Sequence, residues 1–322
     1  MIDPDLVAQA AERIMPHVRR TPLYRSAPLS ERHGADISIK AEHLQLTGSF
    51  KVRGSANVVH SLDPSLADRG VVTASSGNHG IGVATAAAGR GFACTIYLPS
   101  GAAPSKVAQI RRLGAEVAFV DDTDTSVAEM TARRVAAETG RTYVSPYNEI
   151  GIIAGQGTIG KEILEACPAP DAVVVSVGGG GLISGIATWI KAHSPSTVIV
   201  GASAANDRAM AASVTAGRII TPPFEPTFSD GTAGGLEDDT MTFEICASLV
   251  DEWMDVGERD IARGVAAMVE DHHELVEGAA GVALHAATRW ADAHPGAQVV
   301  AVSCGANVGV EALAAMLAAA RT

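Results

Sequence analysis

Val173-Val174-Val175-Ser176-Val177-Gly178-Gly179-Gly180-Gly181-Leu182 is the stretch that decides the fold. A β-branched run ends in four consecutive glycines, and an apolar helical pattern, Ile183–His193, follows at once. A continuous apolar run of this kind is what a strand buried on both faces presents. Four glycines let the backbone turn tightly and aim N–H groups at an anion, with the positive end of the next helix behind them. The dinucleotide pattern G-x-G-x-x-G fails in every register here, because its last glycine falls on Ile183 or Ser184. The best P-loop match, Gly155 to Gly160-Lys161, continues with Glu162 where a hydroxyl is needed. What remains is a small phosphate group held by backbone N–H groups.

On either side of this stretch the same alternation continues. Val71–Ala74, Thr95–Leu98, Val117–Val120, Val198–Val200 and Val299–Val302 read as buried strands. Between them, Gly82–Ala88, Ser105–Leu113, Ser126–Thr139 and Glu258–Glu270 read as helices, with Gly89, Gly114 and Gly140 as their C-terminal stops. Such alternation predicts an α/β protein, and the length of 322 residues suggests two domains with parallel sheets flanked by helices. Arg218–Glu237, with Pro222, Pro223 and Pro226, is the one long irregular stretch; a lid and a plain surface connection are both open to it.

A hydrophobic fraction of 47% with 19% charged residues excludes a disordered chain. The net charge of −12 argues against nucleic acid and acidic membrane surfaces as partners. No apolar run is long enough to span a bilayer, and the N-terminus reads as an amphipathic helix rather than a signal peptide. Cys94, Cys167, Cys246 and Cys304 are scattered without a CxxC, so the first three are expected to be reduced cysteines of a cytoplasmic protein, and Cys304 is taken up below.

Three further places break the pattern. In Thr47–Gly54, Lys51 sits between Phe50 and Val52. A lone lysine is usually a solvated surface group, but apolar flanks can bury its stem and favour the neutral amine that Schiff-base chemistry needs. Ser75-Ser76-Gly77-Asn78-His79-Gly80 lies between a strand and a helix, with more small and polar residues than a cap requires; it reads as a seat for a carboxylate. Ser303-Cys304-Gly305-Ala306-Asn307 follows a strand, where open α/β sheets bind ligands.

Taken together, TGSFKVRG, SSGNHG, IAGQGTIGKEI, VGGGGLISGIA and VEGAAG, in this order from about Thr21 to Asn307, resemble the fold type II pyridoxal-phosphate enzymes, specifically the threonine/serine dehydratase and serine racemase family. The resemblance implies a tryptophan synthase β-like fold with a large domain (1–60 and 148–322) and a small mobile domain (61–147), the cofactor pyridoxal 5′-phosphate, and a homodimer. It implies that Lys51 is the Schiff-base lysine that later moves the substrate α-proton, that Phe50 packs on the cofactor ring and that Asn78 bonds its 3′ oxygen. Gly178, Gly179, Gly180, Gly181 and Leu182 would wrap the phosphate, while Ser75, Asn78 and His79 would hold the substrate carboxylate. Glu277 matches an acid beside the cofactor.

Cys304 falls where the family contacts the pyridine nitrogen. A thiol cannot keep that nitrogen protonated as a carboxylate would, which favours β-elimination over transamination. Ser203 and Ala209 stand where metal-dependent relatives carry carboxylates, so no metal is expected there. Ile81 and Leu46 replace polar residues common in the family, so a bulkier or less polar substrate side chain is conceivable. Only 15 residues follow Asn307, so a C-terminal regulatory domain and control by isoleucine are not expected.

The expected function is dehydration and deamination of a β-hydroxy amino acid, threonine or serine by default or a bulkier analogue, to a 2-oxo acid and ammonia. Ser76 as a second acid/base keeps a serine racemase with side elimination as the alternative. A catalytically silent amino-acid-binding protein is the alternative from another class.

Overall fold

The computed structural model describes residues 2–321 apart from 103 and 124. Among the described residues ten strands run in chain order: β1 (Leu23–Arg25), β2 (Asp36–Ala41), β3 (Val71–Ala74), β4 (Cys94–Pro99), β5 (Glu116–Val120), β6 (Thr142–Tyr143), β7 (Ala172–Ser176), β8 (Val198–Ala204), β9 (Glu252–Val256) and β10 (Gln298–Ser303). They form two sheets, one ordered β1-β2-β10-β7-β8-β9 and the other β5-β4-β3-β6. Every pairing is parallel except β1 with β2. All four strands of the smaller sheet come from 71–143, and those of the larger from either side of it.

Strand order reverses once in each sheet. In the larger, β7, β8 and β9 advance in one direction and β10 returns to the other flank of β7. In the smaller, β3, β4 and β5 advance and β6 returns beside β3. Helices cross on opposite faces at such reversals, which leaves a crevice beyond the strands' carboxyl ends. Each pattern break read from the sequence after a strand lies at one of these ends: Ser75-Ser76 after β3, the glycines after β7 and Cys304 after β10.

The core follows from the strand composition. Val173, Val174 and Val175 in β7 and Val299 to Val302 in β10 are fully or almost fully buried. Beside the larger sheet, helices Ile150–Ala166 and Gly181–His193 cross so closely that a Cβ on Gly185 would lie 2.2 Å from the Ile153 carbonyl oxygen; only glycine permits that crossing.

Several boundaries differ from the sequence reading. The helix expected at Gly82–Ala88 spans Asn78–Arg90, and Gly91, with φ +73°, supplies the left-handed stop assigned to Gly89. Asn78, His79 and Gly80 are therefore its first turn. Gly114 and Gly140 do adopt positive φ. The helix expected at Glu258–Glu270 ends at Ala267 and opens into a π turn, Met268–His272. β2 escaped notice because Lys40, on the face opposite Ile37 and Ile39, reads as a solvated side chain, yet Lys40 is only 1% exposed. Its amine donates to the Thr21 carbonyl and pairs with Glu162.

That pair belongs to a buried ion network which pins the helix Lys51–Ser61. Arg53 Nε and Nη2 donate to the two Glu42 oxygens at 2.7 and 2.8 Å, and Nη1 and Nη2 donate to Glu162 at 2.8 and 2.9 Å. Neither Arg53 nor Glu42 exposes any surface.

Candidate active site

The carboxyl ends of β3, β6, β7 and β10 open onto one cavity of about 1260 Å³. Lys51 reaches it from the first residue of its helix, and its Nζ donates to the Pro146 carbonyl at 2.7 Å. Burial pushes this amine down to about 8, while Cys304, Glu129 and Glu277 pull it partly back. An amine at a helix N-terminus also meets the positive end of the helix dipole, which disfavours its charged form. Phe50 lies beside it, with Nζ 5.3 Å from the ring centroid, and the Phe50 N–H donates to the Cys304 carbonyl. Acylation of the apo chain by an amine-directed reagent is therefore expected to modify Lys51 with a midpoint near pH 8. Exposed lysines should follow near ~10.4. Peptide mass spectrometry across a pH series checks this, and co-titration of Lys51 with the surface lysines would contradict it.

The glycine loop turns on Gly180, whose φ of +84° strongly favours glycine, and Gly180 is also the N-cap of helix Gly181–His193. A glycine cap has no side chain to satisfy the first turn, and no side-chain cap is present. The N–H groups of Gly181, Leu182 and Ile183 thus have no intrahelical acceptor, and all three residues line the cavity. Four further residues, Ser75 to Asn78, present the N-terminus of helix Asn78–Arg90 to the same cavity, again without a side-chain cap.

Asn78 is more heavily engaged than the sequence suggests. Its Nδ2 donates to both Glu277 oxygens, at 2.9 and 3.0 Å, and its Oδ1 accepts from Asn307 Nδ2 at 2.6 Å. Asn307 was no more than a neighbour in the sequence reading, yet its own N–H also donates to Glu277. Burial pushes the Glu277 carboxyl up, against the pull of these donors. His79, expected with Ser75 and Asn78 at the substrate carboxylate, has its ring engaged within the protein. Its Nε2 donates to the Val144 carbonyl at 3.0 Å, and burial with Lys51 nearby pushes the ring down to about 3, so it is neutral. Ser75 Oγ accepts from the Gly77 N–H, and Ser76 lies half-buried on the cavity wall.

Across the crevice between β7 and β10, Ser176 Oγ donates to Cys304 Sγ at 3.6 Å, and Cys304 lies 3.9 Å from Glu277. Burial and the Glu277 charge push this thiol up, so it stays protonated. The other three cysteines are free thiols as well.

Sequence reasoning missed Pro146, Tyr147, Glu129, Arg133 and Glu237, all of which line the cavity. Ser145–Glu149 looks like an ordinary connection before the motif IAGQGTIGKEI, and Glu129 and Arg133 look like the polar face of a helix. Arg133 pairs with Glu237 at 2.6 Å, and Glu237 also accepts from Asn148 Nδ2 at 2.7 Å. Glu237 ends the irregular stretch Arg218–Glu237, whose last residues, from Asp230 on, form a cavity wall. Among the described residues no cluster of three or more potential metal ligands occurs, and no helix is long and apolar enough to cross a membrane.

A lysine amine shifted by burial toward its neutral form, a helix N-terminus with unclaimed donors for a phosphate, and a protonated thiol between two strand ends are the features that pyridoxal phosphate needs, and the residues fit it.

Comparison with known proteins agrees. The chain is 40% identical over 310 residues to the L-threonine ammonia-lyase of Thermotoga maritima, covering 96% of this chain and 77% of that protein. It is 36% identical to the beta-hydroxyaspartate dehydratase of Paracoccus denitrificans, over 96% of this chain and 97% of the relative. The solved structure of maize serine racemase superposes with a TM-score of 0.91 at 34% identity, covering 98% of this chain and 97% of that one. The family model described as pyridoxal-phosphate dependent enzyme matches residues 14–305, and by that match this chain belongs to the pyridoxal-phosphate dependent enzymes.

Proposed function

We propose that this protein is a lyase that dehydrates and deaminates a β-hydroxy amino acid, L-threonine or L-serine by default, to a 2-oxo acid and ammonia. The observation that carries the reading is the Lys51 amine, depressed to about 8 and held at the Pro146 carbonyl in one cavity with two uncapped helix N-termini. The names of the L-threonine ammonia-lyase and beta-hydroxyaspartate dehydratase relatives support it.

When bound, pyridoxal phosphate supplies an aldehyde for the substrate amine and an electron-withdrawing ring that acidifies the α-C–H. The rest falls to the chain's own residues. The N–H groups of Gly178 to Leu182 hold the phosphate, and those at Ser75 to His79 hold the substrate carboxylate. The neutral Lys51 amine accepts the α-proton at Nζ. Cys304 stays a neutral thiol and would give no full charge to a ring nitrogen held beside it, which would favour loss of the β-hydroxyl together with the α-proton. One water leaves and one returns when the nitrogen is released, so threonine is converted to 2-oxobutanoate and ammonia.

The two sheets correspond in this reading to a large domain (1–60 and 148–322) and a small mobile domain (61–147). The protein acts in the cytoplasm as a homodimer. Ser76 on the cavity wall and the likeness to maize serine racemase support racemisation as a second reading.

The test is reconstitution with pyridoxal phosphate, borohydride reduction and peptide mapping, followed by a panel of serine, threonine, phenylserine and 3-hydroxyaspartate in all configurations. Reduced label on Lys51 and 2-oxo acid release are expected. D-isomer formation outpacing 2-oxo acid release would favour the racemase, and binding without turnover would favour the silent binding protein.

A further inference from the structure

Ser145–Asn148, the loop that leaves β6 at the strand reversal of the smaller sheet, touches both halves of the site at once. At Pro146 the carbonyl takes the Lys51 amine at 2.7 Å. One residue on, the Tyr147 ring lies against the glycine loop: a Cβ built on Gly179 would stand 2.5 Å from Cγ and 2.6 and 2.7 Å from the two Cδ atoms. Tyr147 backbone does the same one step later, since a Cβ on Gly181 would stand 2.9 Å from the Tyr147 carbonyl oxygen. Gly179 and Gly181 are therefore side-chain-free in part because Tyr147 fills the space behind them.

The loop is itself held from both ends. Ser145 Oγ accepts from the N–H groups of Tyr147 and Asn148. Tyr147 Oη accepts from the Glu237 N–H at 2.8 Å, and Asn148 takes the Met241 N–H on its Oδ1 and donates to Glu237. Glu237 in turn pairs with Arg133. Groups fixed by packing and hydrogen bonds hold reacting atoms at a constant separation, and small misplacements there are costly.

We propose that Tyr147 is a positioning residue: it sets the placement of the glycine cradle relative to the Lys51 amine by backing Gly179 and Gly181 in the same loop that holds that amine. The proposal rests on the reading of Lys51 and the glycine loop given above. Its specific consequence concerns the phosphate. Pyridoxal phosphate and pyridoxal both meet Lys51, but only the first uses the cradle, so Tyr147 should govern the difference in affinity between them.

The experiment uses the full chain, with apparent affinities for pyridoxal phosphate and pyridoxal taken from absorbance titrations and inorganic phosphate as competitor. Borohydride labelling of the wild type comes first; label on a lysine other than Lys51 would overturn both this proposal and the reading of the site. With Lys51 labelled, Tyr147→Ala is expected to weaken pyridoxal phosphate about tenfold or more and inorganic phosphate in parallel, while pyridoxal changes less than about threefold. Tyr147→Phe keeps the ring and should restore the phosphate-dependent difference despite losing the bond to Glu237. Tyr147→Leu gives the same comparison should the alanine variant not fold, and a loss of the phosphate difference is expected there too. Equal weakening of both ligands, or a Leu variant indistinguishable from Phe, would overturn the positioning role and leave the site reading standing.

Discussion

Replacing Lys51 by alanine is expected to lower turnover of a β-hydroxy amino acid on the order of 10⁴-fold, because one group serves as both covalent anchor and proton acceptor. No other amine can take over: among the described residues the other lysine on the cavity wall is Lys106, on the exposed side of helix Pro104–Arg112. Lys51→Arg should be nearly as inactive, since a guanidinium stays protonated at any working pH. The cradle after β7 is untouched by either change, so pyridoxal phosphate should still bind without a borohydride-stable link. Residual turnover above about a tenth of the wild type in a labelled-free preparation would remove Lys51 from the reaction. For the cofactor-free wild type, the rate at which Lys51 links to pyridoxal phosphate should rise with pH as the amine loses its proton through about 8.

The largest effect on stability is expected at Arg53. Arg53→Met leaves Glu42, which has no exposed surface, without its bidentate partner and strips two donors from Glu162. Breaking a buried pair from one side costs about 3–5 kcal/mol, far more than a surface ion pair. Lys40 lies 3.9 Å from Glu42 and cannot replace a guanidinium that donates two bonds. The pH dependence has a definite sign. In the wild type the Arg53 guanidinium holds the Glu42 carboxyl below its usual 4.5, so its stabilising contribution is present above that value and fades as pH falls through the lowered one. Without Arg53 burial dominates, the folded carboxyl moves above 4.5, and the variant is penalised most above that shifted value. Denaturant titrations at neutral pH and near pH 5 should therefore show the deficit shrinking toward acid. A deficit below about 1 kcal/mol at neutral pH would mean that the network adds little to the fold. Because Arg53 lies in the first turn of the helix that Lys51 opens, a loss of activity should accompany the loss of stability.

How much of this was legible in the residues depends on whether a property is local. The buried strand Val173–Val177, the glycine turn and the helix after it could be read directly, because β-branched runs and consecutive glycines act over a few bonds. The same holds for the expectation that the Lys51 amine is shifted toward its neutral form, since Phe50 and Val52 are its immediate neighbours. Boundaries were less secure: the stop at Gly91 instead of Gly89 was settled by which glycine meets the chain's need for a left-handed residue. β2 was hidden because Lys40 looks like a surface residue until Glu162, far along the chain, is seen beside it.

The sequence by itself determined the parallel α/β architecture, the family likeness and the motifs that carry the chemistry, all of which are encoded in short windows. Only the tertiary structure decided that the reversal of strand order occurs beside both β3 and β7, and so that four strand ends meet in one cavity. It also decided that Asn78 is tied to Glu277 and Asn307, that His79 turns its ring to Val144 and that Tyr147 backs the glycine loop. The physical reason is range: propensity and turn chemistry act between neighbours, whereas desolvation, ion pairing and close packing depend on residues brought together from up to 229 positions apart.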